Sequence, residues 1–464
     1  MAMVDLPPLR VGLACLARTR FDYQAARELY HRSVAALKEF EHVQVIAPDD
    51  VLLDNPDSPT PGLIPQAASF FHRAEIDVLI IQNGTFTLGD LALDLVDTFS
   101  VPVILWALPE PDWQSGRMRL NSLVGLNVNS SHFYKTGRPF RYLVASPGDR
   151  AFQEEMGRYL RVLRLVRGLR RTKIAMLGNR AQGFFDLSYN EMELRAKLGV
   201  EVVTVGLSHV FDLARALPES QVTEAKERIR GAIDDMTEVT PAKEDLQARA
   251  YLALRQIAEQ HGASALAVRC WPEFPFEYGV AACSSAAMLN AEQIPCGCEG
   301  DLEGALTSLI LQTLAGSVPF LADVSALDQE KNTLLLWHNG CAALTLAATR
   351  KCLHCHFQAN RGLTVSFGLQ PGRVTLARLG NDGHHLRLLV TTGEALPTEM
   401  FIRGTLSTVR TDPPVKRVLD EIVYGGWEHH LAMSYADLST DLSEFATLTG
   451  IPLTNIGAAP CSSS

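Results

Sequence analysis

Short apolar runs alternate with longer amphipathic stretches through the first part of the chain, the pattern of strands and helices in a parallel α/β sheet. RVGLACLA near the start reads as a buried strand, and YQAARELYHRSVAALKEF as the helix after it. VQVIAP, IDVLIIQ and VPVILWAL are further strands rich in Val, Ile and Leu, with PQAASFFHRAE and GDLALDLVDTF as the helices between them. A very basic helix, RYLRVLRLVRGLRR, closes this section, and TKIAMLG opens a second. There KLGVEVVTVGL, a charged helical region from about Glu219 to Gln260, ASALAVRCW and IPCGCEGD form another α/β unit. After about residue 340 the texture changes. LTVSFGLQPGRVTLARLG, HHLRLLVTTGEAL and MFIRGTLSTVR are turn-punctuated segments of antiparallel type, before a helix in LSEFATLTG.

A length of 464 residues exceeds one ordinary core. The predicted fold class is α/β: two Rossmann-like parallel-sheet domains, 1–171 and 172–340, followed by a β-rich C-terminal domain, 341–464. Hydrophobic residues at 47% and charged residues at 20% are the balance of a globular protein. Forty-two basic against fifty-two acidic residues leave a net charge of −10. That argues against nucleic acid and against an anionic membrane surface as partners, because no basic excess exists to neutralise phosphates. No apolar run reaches the roughly eighteen residues of a membrane-spanning helix. The N-terminal MAMVDLPPLRVGLACLA lacks a charged leader and cleavage site. The nine cysteines follow no secreted-scaffold spacing, and Cys15, Cys270, Cys283 and Cys296 fall in apolar, strand-like runs. A reducing cytoplasm is the expected compartment.

Candidate chemistry concentrates at two strand ends of the middle section. SALAVRCW runs into Glu273 and Glu277, and IPCGCEGD ends in Glu299, Gly300 and Asp301. Carboxyl ends of strands face the ligand crevice in open α/β sheets. Acids on two neighbouring ends would make a cluster of hard oxygen donors that prefers Mg²⁺ or Mn²⁺ over Zn²⁺. Helix capping is the alternative for these acids; Glu303 is best read that way, while the two acids flanking a glycine at the strand end favour a functional Asp301. His429 and His430, in GGWEHHLAMSYAD, suggest a loop presenting imidazole to a site, and His338 closes the apolar LLLWH either as a proton handler or as a satisfied structural histidine. KCLHCHF, with Cys352, His354, Cys355 and His356, has the spacing of half a zinc site, but no second half follows it.

The stretches QNGTFTLGDL, LWALPEP, LNSLVGLN, CWPEF, IPCGCEGDLEGALT, LLLWHNG and HHLAMSYADLSTDLSEFATLTGIPL resemble, in order along nearly the whole chain, the L-fucose/L-arabinose isomerase superfamily. The likeness is to its L-fucose isomerase-like branch, which includes sulfoquinovose isomerases. The resemblance implies an aldose–ketose isomerase acting through a cis-enediol on a hexose, deoxyhexose or pentose, or on an anionic sugar such as sulfoquinovose. It implies a divalent cation, usually Mn²⁺, with Mg²⁺ or Co²⁺ as substitutes, bound by one Glu, one Asp and one His. Carried onto this chain, the metal ligands are Asp301, His430 and either Glu273 or Glu277, the same carboxylates serving as acid and base. His338, Arg18 and Arg20 are the expected substrate contacts. For an anionic sugar, Arg180 and Arg269 are further candidates. A homo-oligomer, hexamer or trimer, with sites near subunit interfaces is also implied. A non-catalytic sugar-binding protein of the same fold is the reading from another class.

Overall fold

The computed structural model describes residues 7–113, 116–356 and 360–457. Contacts divide the chain after Arg164 into two compact units. In the first, β1 (Leu9–Arg18), α1 (Tyr23–Lys38), β2 (Val43–Ile46), β3 (Leu52–Asp54), α2 (Leu63–Arg73), β4 (Val78–Asn83), α3 (Gly89–Val96), β5 (Val103–Ala107), α4 (Ser122–Lys135) and β6 (Arg141–Val144) follow one another. The strands form a parallel sheet ordered β2-β1-β4-β5-β6, with β3 beside the end of β1. Every residue of β4 and β5 is buried, which is why their sequences show continuous apolar runs instead of alternation. Leu16, Phe71, Ile81, Leu105 and Phe133 belong to the core of this unit. Helix α5 (Arg150–Leu169) leads onward.

The second unit begins with β7 (Lys173–Leu177), α6 (Glu191–Leu198), β8 (Glu201–Val205), α7 (Leu207–Ala216), α8 (Glu219–Ala232), α9 (Pro241–His261), β9 (Ala265–Val268), α10 (Cys283–Ala291), β10 (Cys296–Gly297) and α11 (Leu302–Ala315). Its parallel strands are ordered β10-β9-β7-β8, so the order reverses between β7 and β9. That reversal opens a crevice at their carboxyl ends. The charged helical region consists of two helices, α8 and α9. Thr240 caps α9 by accepting from the Lys243 amide, and Pro241 suits a first turn but cannot continue a helix from before it.

The remaining strands are β11 (Phe320–Asp328), β12 (Thr333–His338), β13 (Cys352–Cys355), β14 (Leu363–Gly368), β15 (Gly372–Asn381), β16 (Leu386–Leu396), β17 (Thr405–Thr411), β18 (His430–Ser434) and β19 (Leu453–Asn455). Helix α12 (Val415–Tyr424) precedes β18, and α13 (Ser439–Thr449) follows it. Six of these strands close on themselves: β12-β11-β18-β15-β16-β17 and back to β12, each pairing antiparallel. Closure removes the exposed edges an open antiparallel sheet would leave. One hydrophobic core runs from the parallel sheet (Ala175, Leu177, Val268) into this barrel (Phe320, Leu336, Leu376, Val409). The two parallel sheets and the β-rich region after them match the expected fold class. Among the described residues no helix is long and apolar enough to cross a membrane.

Phe320 opens β11 with its side chain fully buried where sheet and barrel share their core. Phe320→Ala should therefore cost about 3–5 kcal/mol of stability, measured by denaturant unfolding. Phe276, which is 52% exposed, should tolerate the same change within about 1 kcal/mol.

Candidate active site

Asp301 lies at the junction of the parallel sheet and the barrel. It is the N-cap of α11, where its Oδ1 accepts from the Gly304 amide at 2.8 Å. Oδ1 also accepts from Arg378 Nη2 at 3.0 Å, and Oδ2 accepts from Arg378 Nη1 at 2.5 Å. His430 Nδ1 lies 2.9 Å from the same Oδ2. The helix-cap reading therefore holds, and the same carboxylate also meets Arg378 and His430. A Cβ at Gly304 would collide with this carboxylate, so glycine makes the room it needs. A carboxylate offers about four lone-pair directions, and four donors occupy those of Asp301.

Burial alone would raise the Asp301 carboxyl. The Arg378 guanidinium and His430 outweigh it and hold Asp301 well below the usual carboxylate range. Arg378, on β15, is wholly buried and also faces Glu428 at 3.4 Å. Glu303 completes the surroundings of Arg378. Burial pushes its carboxyl up to about 8, against the pull of Arg378 and with the repulsion of Glu428 and Asp301. Its Oε2 accepts from Asn381 at 2.9 Å.

With Nδ1 turned to Asp301, His430 presents Nε2 to the other side. His338 Nε2 lies 3.3 Å away, Asp323 Oδ1 3.5 Å and Glu299 Oε2 3.8 Å. Candidate ligand atoms of Asp323, His338 and His430 lie within 4.8 Å of one another, as do those of Glu299, His429 and His430. The barrel makes this arrangement: Asp323 on β11 is the register partner of His430 at the start of β18, and His338 ends the adjoining β12. His430 thus sits in a strand, not on the loop expected from GGWEHH. Burial lowers the His430 imidazole below its ordinary value, although Asp301 acts the other way. His338 Nδ1 accepts from the Asn339 amide at 2.7 Å, which assigns the proton of its neutral form to Nε2.

Glu299 arrives from the parallel sheet, in the short 3₁₀ turn after β10, with φ at +60°. The left-handed backbone there turns Glu299 and Asp301, two positions apart, to different sides of His430. His429 lies between acids, with Nδ1 2.6 Å from Asp186 and Nε2 3.1 Å from Glu299. Burial would lower its pKa, but the two carboxylates raise it to about 9, so it is an imidazolium at neutral pH. It in turn helps to keep the Glu299 carboxyl below its ordinary value against the effect of burial.

The structure brings together five of the residues singled out in the sequence: Glu299, Asp301, His338, His429 and His430. Glu273 is instead ion-paired with Arg269 at 2.7 Å, and Glu277 is exposed on the π-helical turn Phe274–Tyr278. Arg18 and Arg20 lie in the first unit, where Arg18 meets Asp54 at 3.3 Å and Arg20 meets Asp57 at 2.6 Å. Asp323 escaped notice because FLADVSALD reads as a strand with no motif in it. Its signal was an acid interrupting an apolar run. Cys352 and Cys355 sit three positions apart on β13, so the strand period sends them to opposite faces. All eight cysteines among the described residues are free.

Fold and centre define a class: an α/β protein whose strand-end carboxylates meet barrel histidines in a buried cluster. The family model for the fucose/sulfoquinovose isomerase N-terminal domain matches residues 12–170. A sulfoquinovose isomerase of Alkalicoccus urumqiensis is 34% identical over 389 residues, 82% of this chain and 86% of that protein. One from Priestia aryabhattai is 30% identical over 446 residues, 94% and 96% of the two chains. The L-arabinose isomerase of Acidothermus cellulolyticus is 24% identical over 304 residues, 61% and 60% of the two. The chain belongs to the fucose/sulfoquinovose isomerase family, in agreement with the aldose–ketose isomerase expected from its motifs.

Replacing Arg378 with Met would leave the Asp301 and Glu428 carboxylates buried and unpaired. The expected loss is about 3–5 kcal/mol in thermal or denaturant unfolding. In the double variant Arg378→Met/Asp301→Asn part of that loss should return, because one stranded charge is removed.

Proposed function

We propose that this protein interconverts sulfoquinovose and its ketose, sulfofructose, at a divalent-metal centre on His430 Nε2, with Glu299 and Asp323, one from each of the two candidate ligand groups that share this histidine, as its carboxylates. The observation that carries the reading is the convergence of two carboxylates on His430 Nε2, the face of the imidazole opposite its bond to Asp301. The substrate follows the relatives matched over most of this chain, which are named sulfoquinovose isomerases. Two carboxylates and a neutral imidazole make an oxygen-rich donor set that suits Mn²⁺. A bound cation would supply Lewis-acid polarisation of the sugar carbonyl. Asp301, with its lone pairs engaged by Arg378, Gly304 and His430, orients the imidazole and stays outside the ligand set.

Moving a carbonyl from C1 to C2 requires a proton to leave C2 and return to C1 through a cis-enediol. Glu299, kept ionised by His429, can accept that proton. Glu299 then returns the same proton to C1, while Asp323, also at His430 Nε2, carries the hydroxyl proton from O2 to O1. His338 carries its proton on Nε2 and donates a hydrogen bond to a sugar oxygen as charge develops there. Burial of His430 and His338 excludes water from this side of the centre.

Chelator treatment should abolish isomerisation of sulfoquinovose, and Mn²⁺ should restore it; full turnover by metal-free protein would contradict the reading. Glu299→Gln and Asp323→Asn should each lower kcat by about 10²–10⁴-fold. Glu273→Gln and Glu277→Gln should stay within about threefold of wild type, as changes to groups outside the cluster do. A steady-state assay with refolding controls separates the two pairs.

A further inference from the structure

Two arginines stand at the carboxyl ends of β7 and β9, the strands that flank the reversal in strand order. They are not equivalent. Arg269 is neutralised by Glu273 at 2.7 Å. Arg180 is half-buried, and among the described residues no carboxylate pairs with it. Its Nε donates to Ser188 Oγ at 3.0 Å, its Nη1 donates to the Ala181 carbonyl at 3.3 Å, and its Cζ lies 4.7 Å from the centre of the Phe185 ring. A guanidinium has five N–H groups in a fixed fork. The second N–H of Nη1 and both of Nη2 are left for a ligand.

The loop that carries this guanidinium is tied to the reaction centre. Gly178 and Asn179 take consecutive positive φ values, +82° and +68°, and Asn179 Oδ1 accepts from the Arg180 amide at 2.8 Å. The Ala181 amide donates to the Glu299 carbonyl at 2.9 Å. Gly300 lies so close to the backbone of Asn179 and Arg180 that a Cβ there would collide with it. Farther along, the Phe184 ring lies 5.4 Å from that of His429, and Asp186 bonds His429. Asn381 Nδ2 donates to the Ser188 carbonyl at 2.8 Å, fastening the end of the loop to β15. A fixed, uncompensated cation therefore stands beside the turn that bears Glu299.

We infer that Arg180, held by Ser188 and Phe185, is the anion-binding subsite that receives the sulfonate at C6 while C1 and C2 lie at the carboxylate–histidine centre. This rests on the reading of the substrate as sulfoquinovose. A sulfonate spreads its charge over three oxygens, and a guanidinium fork engages two of them with parallel charge-assisted hydrogen bonds. Selectivity for the sulfonated sugar over its neutral counterpart arises at Arg180, because a neutral C6 methyl leaves the fork without a partner.

The test compares wild type, Arg180→Gln and Arg180→Lys on sulfoquinovose and on quinovose (6-deoxyglucose), with calorimetric binding of methyl sulfoquinovoside, which cannot open its ring. Arg180→Gln should raise KM for sulfoquinovose and weaken the glycoside by about 50-fold each, within the range of charged hydrogen bonds. The preference for sulfoquinovose over quinovose should fall by the same factor. Arg180→Lys keeps the charge without the fork, so about a tenfold loss of preference is expected. Thermal unfolding checks both variants, and the lysine variant carries the test if the glutamine one does not fold. Equal losses on both sugars, or an unchanged preference, would overturn the role of Arg180 while leaving the substrate reading intact. Wild-type turnover of quinovose with none of sulfoquinovose would overturn the substrate reading, and this inference with it.

Discussion

The chain of contacts from Arg378 through Asp301 to His430 sets the geometry of everything around it. Its three members come from β15, the start of α11 and the start of β18, and all are essentially without solvent contact. Taking a guanidinium and a carboxylate out of water is costly, and their attraction offsets that cost only with good geometry and full hydrogen bonding. Here both conditions hold at Asp301. The bidentate pair fixes the carboxylate, the carboxylate fixes the Nδ1 side of the imidazole, and Nε2 is left pointing at Glu299 and Asp323. Shifting Asp301 would disturb a helix cap, a buried ion pair and the orientation of His430 together.

The two architectures of the second unit contribute different parts. The parallel sheet ends in turns, and a turn can send residues two positions apart, which a strand would put on one face, to different sides: Glu299, with its left-handed backbone, faces His430 Nε2 while Asp301 faces Nδ1. The barrel offers rigid registers, so Asp323 opposite His430 and His338 on the next strand are set by backbone pairing. A common hydrophobic core binds sheet to barrel, which holds carboxylates from one and imidazoles from the other in fixed relation.

Much of this was legible in the sequence. Continuous apolar runs announced the buried parallel strands, and turn-punctuated segments after residue 340 announced the antiparallel ones. Acids at the end of IPCGCEGD and the double histidine led to Asp301 and His430. The division of labour between neighbouring acids was not legible. It depends on the backbone sign at Glu299 and on Arg378, which arrives from 77 residues away along the chain. An arginine inside the apolar run of VTLARLG was the available sign of a buried charge partner. Glu273 and Glu277 attracted notice by standing at a strand end, a rule that locates the crevice but does not say which side chain turns into it. The closure of the barrel through β16 and β17 had no local sequence signal at all.

The central claim is that Asp301 orients His430 while Glu299 and Asp323 supply the carboxylate ligands. Titration of the metal-free protein with Mn²⁺, followed by the paramagnetic resonance of the free ion, tests it directly on Asp301→Asn and Asp323→Asn. The account predicts that Asp301→Asn still binds one Mn²⁺ per chain with affinity lowered about 10–100-fold, the effect of losing a group that orients a ligand. Asp323→Asn should bind far more weakly than that. Complete loss of binding in Asp301→Asn with near-normal binding in Asp323→Asn would contradict the account and make Asp301 the ligand.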